Sequence, residues 1–192
     1  MDFVKAFINM FLPSLSKESL EKFRELVSVN EHKKGHIIVN EGETPTQFYI
    51  LKKGIVRSFI LNDKGKEHIR TLYIPVTTSG ALSSLIKKTP SNATYECLTD
   101  CEILEGNFSD FIKLTKEYHD LSLFYNKVLE SIFQRTENKV FDLSVLNAKE
   151  RYLKLKKEVP NIDNLITQYH IAAYLNITPV QLSRIRKDLY SK

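Results

Sequence analysis

Val180, Gln181, Ser183, Arg184 and Lys187 follow a Thr178-Pro179 pair at spacings that place them on the open side of one helix. On such a helix glutamine can pair with adenine, arginine with guanine, and valine can touch a thymine methyl. Lysine supplies charge for phosphate. Thr167, Gln168, Thr178 and Pro179, at the starts of two predicted helices, complete the DNA-contacting set. Other reactive types are less suggestive. Cys97 and Cys101 make no disulfide framework and fit two buried, inert thiols better than a redox pair. His32, His36, His68, His119 and His170 are scattered. His32 and His36 have a metal-like interval but no acidic or cysteine partner set, so no metal and no cofactor is expected. No nucleophile–base pattern is visible, and the chain is not read as an enzyme.

The elements that position the first set are legible over residues 167–189. Thr167 can cap a helix whose inner face is Ile171, Ala172 and Leu175. Ala172 is small where a second helix must cross closely. Asn176 falls where the turn needs a left-handed residue, which asparagine tolerates next best after glycine. Ile177 plugs the turn from inside. Thr178 and Pro179 then cap and open the second helix, with Leu182, Ile185 and Leu189 as its buried stripe. Two helices so joined form a helix-turn-helix, whose second helix enters the major groove.

Charge points the same way. The chain has 192 residues, 42% of them hydrophobic and 27% charged, and a net charge of +5. Residues 1–147 carry 19 Lys/Arg and 19 Asp/Glu, whereas residues 148–192 carry 9 and 4, so the whole excess lies at the C-terminal end. A neutral body with a basic end suits a polyanion partner. No apolar run approaches the roughly 20 residues that cross a bilayer, and the first residues lack a secretory pattern, so a cytoplasmic protein without membrane contact is expected.

The body is mainly β before it becomes helical. A short helix is expected from Lys17 to Val27, capped by Ser16. Short β-branched or aromatic runs follow at 37–39, 48–51, 55–61, 68–73, 94–98 and 102–104. Turn signals such as Asn40-Glu41-Gly42-Glu43, Lys53-Gly54 and Asn62-Asp63-Lys64-Gly65 separate them. This pattern predicts a small antiparallel barrel or sandwich. From Phe108 to Leu146 the period is helical. Leu121, Tyr125, Val128 and Ile132 form one stripe; Leu129, Phe133, Val140 and Leu143 form another. A helix apolar on two faces needs two partners, and the first stripe is expected to be the seam of a homodimer.

Order and motifs together resemble the cyclic-AMP receptor protein/FNR family of bacterial regulators over nearly the whole chain. Gly35, Glu41-Gly42, Tyr49, Gly54 and Gly65-Lys66-Glu67 sit like its β-roll turns, and residues 175–185 resemble its recognition motif. Gly80-Ala81-Leu82 resembles the start of its phosphate-binding cassette. The resemblance implies an α+β fold divided into a cyclic-nucleotide-binding-like β-roll (1–118), a dimerisation helix (119–147) and a helix-turn-helix domain (148–192). It also implies double-stranded DNA, a second copy of the chain and RNA polymerase as partners.

The departures bear on the effector. The family cassette reads Gly-Glu-Leu and later has arginine before Ser or Thr and Ala; here Ala81 stands for the glutamate and Ser91 for the arginine, followed by Asn92-Ala93. Gly80, Ala81, Leu82, Ser91, Asn92 and Thr136 are thus expected to line a degenerate pocket, with cyclic AMP not its ligand or no ligand at all. No FNR-type cysteine cluster is present, and a terminal β-wing is expected to be reduced or absent. Two alternatives remain open: a divergent cyclic-nucleotide sensor using Lys87 or Lys88, and a small cupin-like β-barrel enzyme or ligand carrier.

Overall fold

The computed structural model describes residues 2–63 and 65–190; Lys64, in the predicted turn at 62–65, lies outside them. Asp2 caps α1 (Phe3–Phe11) by accepting from the Lys5 amide, and Ser16 caps α2 (Lys17–Leu26). Eight strands follow: β1 (Val27–His32), β2 (Ile37–Val39), β3 (Gln47–Lys53), β4 (Val56–Leu61), β5 (Glu67–Tyr73), β6 (Thr77–Ser79), β7 (Thr94–Cys97) and β8 (Cys101–Asn107). The short α3 (Leu82–Lys87) lies between β6 and β7. The chain then runs through α4 (Phe108–Glu117), α5 (His119–Val145), α6 (Ala148–Glu158), α7 (Ile162–Leu165), α8 (Gln168–Tyr174) and α9 (Pro179–Tyr190).

The strands form two antiparallel four-stranded sheets, ordered β1-β8-β3-β6 and β2-β7-β4-β5. Alternation along β3 explains its unbroken apolar run. Tyr49 and Leu51 face the interior of the roll with Val56, Tyr73, Tyr95, Cys97 and Ile103, while Ile50 points the other way with Leu104. Gly54 turns β3 into β4 at φ +96°; a Cβ there would sit 2.5 Å from Asp100 O and Cys101 Sγ. Only glycine fits both constraints.

Each sheet shows a second apolar face, and helices cover both. Phe7, Ile8, Phe23, Phe111 and Phe124 close over Ile50 and Leu104. Asp120 locks this layer, accepting from Ser16 N (2.9 Å) and Ser19 Oγ (2.5 Å). On the other sheet, Phe59, Ile69 and Leu72 share one cluster with Tyr152, Leu155, Ile162, Ile166, Ile171, Ala172, Leu175 and Leu182 from the C-terminal helices. The basic end is therefore packed on the β-roll through a common core.

The predicted dimer stripe changes role. Leu121 and Val128 are buried within the chain among α1 and α2, and Tyr125 and Ile132 pack against the same cluster. Periodicity found the stripe, and the structure folds it into one apolar cluster with residues of α1, a helix not expected from the sequence, and of α4, whose Phe108 and Phe111 meet Tyr125. The stripe left open is the second one: Phe133 and Val140 are 65% and 57% exposed. Burial of Leu121 yields a prediction. Leu121→Ala should lower unfolding stability by about 2–4 kcal/mol without altering subunit association. Urea unfolding and sedimentation would measure the two effects; a loss well under 1 kcal/mol would deny the core assignment.

Candidate functional site

Thr167 caps α8 through its hydroxyl, which accepts from His170 N at 3.3 Å. The helix stops because Asn176 adopts φ +56°. Ile177 N then donates to Ala172 O (3.0 Å) and Asn176 N to Ala173 O (3.4 Å), the paired bonds of a left-handed helix stop. Ala172 is fully buried, as its place at the crossing requires, and Ile177 packs against the same cluster.

α9 opens with a reciprocal cap. Gln181 N donates to Thr178 Oγ1 (3.2 Å), and Thr178 N donates back to Gln181 Oε1 (2.9 Å). Gln181 thus spends its carbonyl oxygen on the cap, and bidentate pairing to adenine would require releasing it. Gln168 is likewise committed. Its Nε2 donates to Pro179 O (2.7 Å) and its Oε1 accepts from Arg186 (3.4 Å), so it braces the two helices. Thr167, Thr178, Pro179, Val180, Ser183, Arg184 and Lys187 are exposed.

Arg186, not among the expected site residues, ties α9 to α6, α7 and α8. It donates to Asp163 Oδ1 (2.5 Å) and to Tyr152 Oη (3.2 Å), while Tyr152 donates to Asp163 Oδ2 (2.8 Å). Burial, with the Asp163 carboxylate beside it, pushes the Tyr152 phenol up to about 12, so it stays a donor. Only the helical stripe was visible in the sequence; the carboxylate partner lies in a different helix.

A second region is a cavity of about 1230 Å³ between the β-roll, α5 and the C-terminal helices. Gly80, Ala81, Leu82, Asn92 and Thr136 line it, as expected, but Ser91 does not. The Ser91 hydroxyl is buried and turned on its own loop, donating to Ala93 O at 2.7 Å. Thr136 donates its hydroxyl to Ile132 O on its own helix (2.9 Å). Lys87 lines the cavity, whereas Lys88 sits exposed at the left-handed end of α3. Gly80 has φ +120° and lies over Tyr49, where a Cβ would be 3.2 Å from the ring. Arg70, Arg135, Tyr73, Tyr95 and Ser79, which the sequence reading passed over, line the same space.

Cys97 and Cys101 are both buried and free. Cys101 Sγ lies 3.2 Å from Thr99 O and 3.6 Å from Ile55 O. The His32 and His36 rings stack at 4.2 Å, and His32 Nε2 is 2.5 Å from Glu105. Among the described residues no group of three or more His, Cys, Asp or Glu is placed to hold a metal ion. No described helix is long and apolar enough to cross a membrane.

The cyclic nucleotide-binding domain family model matches residues 29–118. FixK2 from Bradyrhizobium japonicum superposes with a TM-score of 0.73 at 18% identity, over 86% of this chain and 85% of that one. The c-di-GMP-responsive global regulator CLP of Xanthomonas campestris gives 0.71 at 14% identity, over 92% of each chain. The catabolite activator protein of Thermus thermophilus gives 0.58 at 20% identity, over 96% of this chain and 87% of that one. No curated protein sequence matches. The likeness to the cyclic-AMP receptor protein/FNR regulators is thus shown in fold: an antiparallel β-roll followed by helices.

The turn geometry makes a prediction for Asn176. Asn176→Gly should keep or slightly raise stability, because glycine adopts positive φ freely. Asn176→Val should cost about 1–2 kcal/mol, since a β-branched side chain resists the left-handed region. Thermal unfolding followed by circular dichroism would check both; equal melting of the two variants would contradict the turn.

Proposed function

We propose that this chain, with the cyclic-AMP receptor protein/FNR fold and a matched cyclic nucleotide-binding domain, is a homodimeric, sequence-specific DNA-binding transcription regulator. The observation that carries the reading is α9. It is capped and braced from within, rests on a buried stripe, and presents Val180, Ser183, Arg184 and Lys187 outward from the basic end of a chain whose body is neutral. Rigid positioning of a few side chains is what base recognition requires. Thr167 and Thr178 at the two helix starts suit phosphate. Gln168 and Gln181 contribute by bracing and capping, with Gln181 free to change partner on DNA. The protein acts by binding rather than by catalysis, in the cytoplasm. RNA polymerase is its further partner by likeness to the regulators whose fold it shares. The units are the β-roll to residue 118, the long helix to 147 and the helix-turn-helix beyond. Cyclic AMP is not the effector: Ala81 is buried and apolar, and Ser91 is turned away from the cavity.

Dimerisation is assigned to the open stripe of α5. Its 27 residues extend about 40 Å. Leu129, Phe133 and Val140 fall on one side of it, away from the buried stripe. Exposed phenylalanine and valine along a long helix suit a two-fold seam, which would present two α9 helices to half-sites roughly 34 Å apart.

Two experiments test these assignments. Arg184→Ala should weaken operator binding by about 1–3 kcal/mol, while Lys187→Ala should weaken all DNA alike and flatten the salt dependence. Gel shifts at stated salt would measure both, and wild-type affinity in Arg184→Ala would refute base reading by that residue. Phe133→Glu should yield a folded monomer with weak DNA binding, measured by sedimentation. A wild-type chain that is already monomeric at micromolar concentration would remove the seam.

A further inference from the structure

We propose that the cavity between the β-roll and α5 binds an aromatic oxyanion, held by Arg70 and Arg135 instead of by the cassette around α3. The proposal deepens the regulatory reading by naming an effector class; binding itself does not depend on DNA recognition.

Arg70 is placed by an irregularity in the sheet. Ser58 pairs with Thr71 and Phe59 with Ile69, so Arg70 is the extra residue of a β-bulge in β5. A bulge breaks the alternation of the strand and re-aims a side chain, and bulges gather beside binding sites for that reason. Here the guanidinium stands at the cavity mouth and donates to Asn92 Oδ1 at 3.1 Å. Arg135 approaches from α5. It lies 5.3 Å from the Tyr73 ring centre and donates to Thr78 O at 3.5 Å, a long contact that a better acceptor would displace. Tyr95 lines the same space, its ring 6.1 Å from that of Tyr73.

An unmet hydrogen bond marks the same wall. Ser79 lines the cavity and is 8% exposed, and its Oγ has no partner. A buried hydroxyl without a partner is costly, and an oxyanion would accept its proton. The charge around the space favours an anion too. Arg70, Lys87, Arg135 and Lys139 line it with no ion pair among the described residues. The lining acids Asp142 and Glu158 lie at the C-terminal end, where Lys154 pairs with Asp142 at 2.6 Å. Two planar guanidinium forks suit a carboxylate or phosphate. Tyr73, Tyr95, Leu82 and Ile132 supply an apolar, aromatic surround for the ligand body.

Isothermal titration of the full chain with benzoate, phenylacetate and phenyl phosphate tests this, with phenol, inorganic phosphate and cyclic AMP as comparisons. At least one aryl anion should bind with a dissociation constant of about 1 mM or tighter. Arg70→Gln and Arg135→Gln should each weaken it about tenfold or more, and Ser79→Ala severalfold. Arg135→Lys, which keeps the charge and loses the fork, should recover part of the affinity if Arg135→Gln fails to fold. The proposal is overturned by no aryl anion binding at about 10 mM, by equal binding of phenol or of inorganic phosphate, or by unchanged affinity in both arginine variants. Micromolar binding of cyclic AMP that survives those variants would overturn it as well. None of these titrations contains DNA, so failure here leaves the gel-shift result standing, and the reverse.

Discussion

Two four-stranded sheets folded face to face cannot bury both of their outward faces by themselves, and in this chain both are apolar. Ile50 and Leu104 lie on one; Phe59, Ile69 and Leu72 lie on the other. Apolar surface of this kind is worth roughly 25 cal/mol for each Å² removed from water. The helical layers are the answer to that constraint. One layer, α1, α2, α4 and the first half of α5, closes the first face with interlocked phenylalanine rings 5–6 Å apart. The other layer is the C-terminal unit itself, so the element that carries the basic charge also completes the core of the β-roll.

The sheet that carries this second face also holds a buried charge. Arg57 is 5% exposed in β4, between Glu67 (2.5 Å) and Glu96 (2.6 Å), with its guanidinium 3.9 Å from the Phe59 ring centre. Its carboxylate partners hold it charged against burial. Both partners lie in its own sheet, on β5 and β7, so the group ties those strands to β4; it contributes little net stability, but removing either carboxylate would leave a buried charge short of a partner. Lys139 performs a related task on α5. It donates to Tyr174 O at 3.2 Å and sits over that ring, and burial lowers its ammonium to about 8. The long helix is thereby tied to α8 near the turn that carries Asn176.

What was legible in the sequence follows from the range of the interactions involved. The helix-turn-helix is local: caps, a left-handed turn residue and a small crossing residue occur within about two dozen positions, and each leaves its own mark. The β-roll was legible for the same reason, through turns and short alternating runs. β1 escaped because Val27–His32 is an edge strand with four exposed residues, so alternation was absent. The role of the α5 stripes escaped for a deeper reason. Periodicity reports that a face is apolar, not which surface covers it, and Phe7, Ile8 and Phe23, which share the cluster of Leu121 and Val128, lie about a hundred positions away or more. Arg70 and Arg135 were hidden in the same way. They line one cavity from a bulged strand and a distant helix, 65 positions apart in the chain.

These facts constrain how the two ends of the molecule can communicate. A ligand shifts a conformational equilibrium only by binding two states unequally. The cavity joins the two ends: one wall is β5 and β6, another is α5, and the far end includes Ala173, Tyr174 and Asn176. Anything that fills it touches the sheet on which α8 rests and the helix to which Lys139 pins Tyr174. Separation of the C-terminal unit from the β-roll would expose Phe59, Ile69 and Leu72, so large excursions are costly. A small rotation of α8 and α9 about the Lys139 contact keeps most of that burial. In the dimer proposed above, it would alter the spacing of the two α9 helices, and spacing is what a pair of half-sites measures.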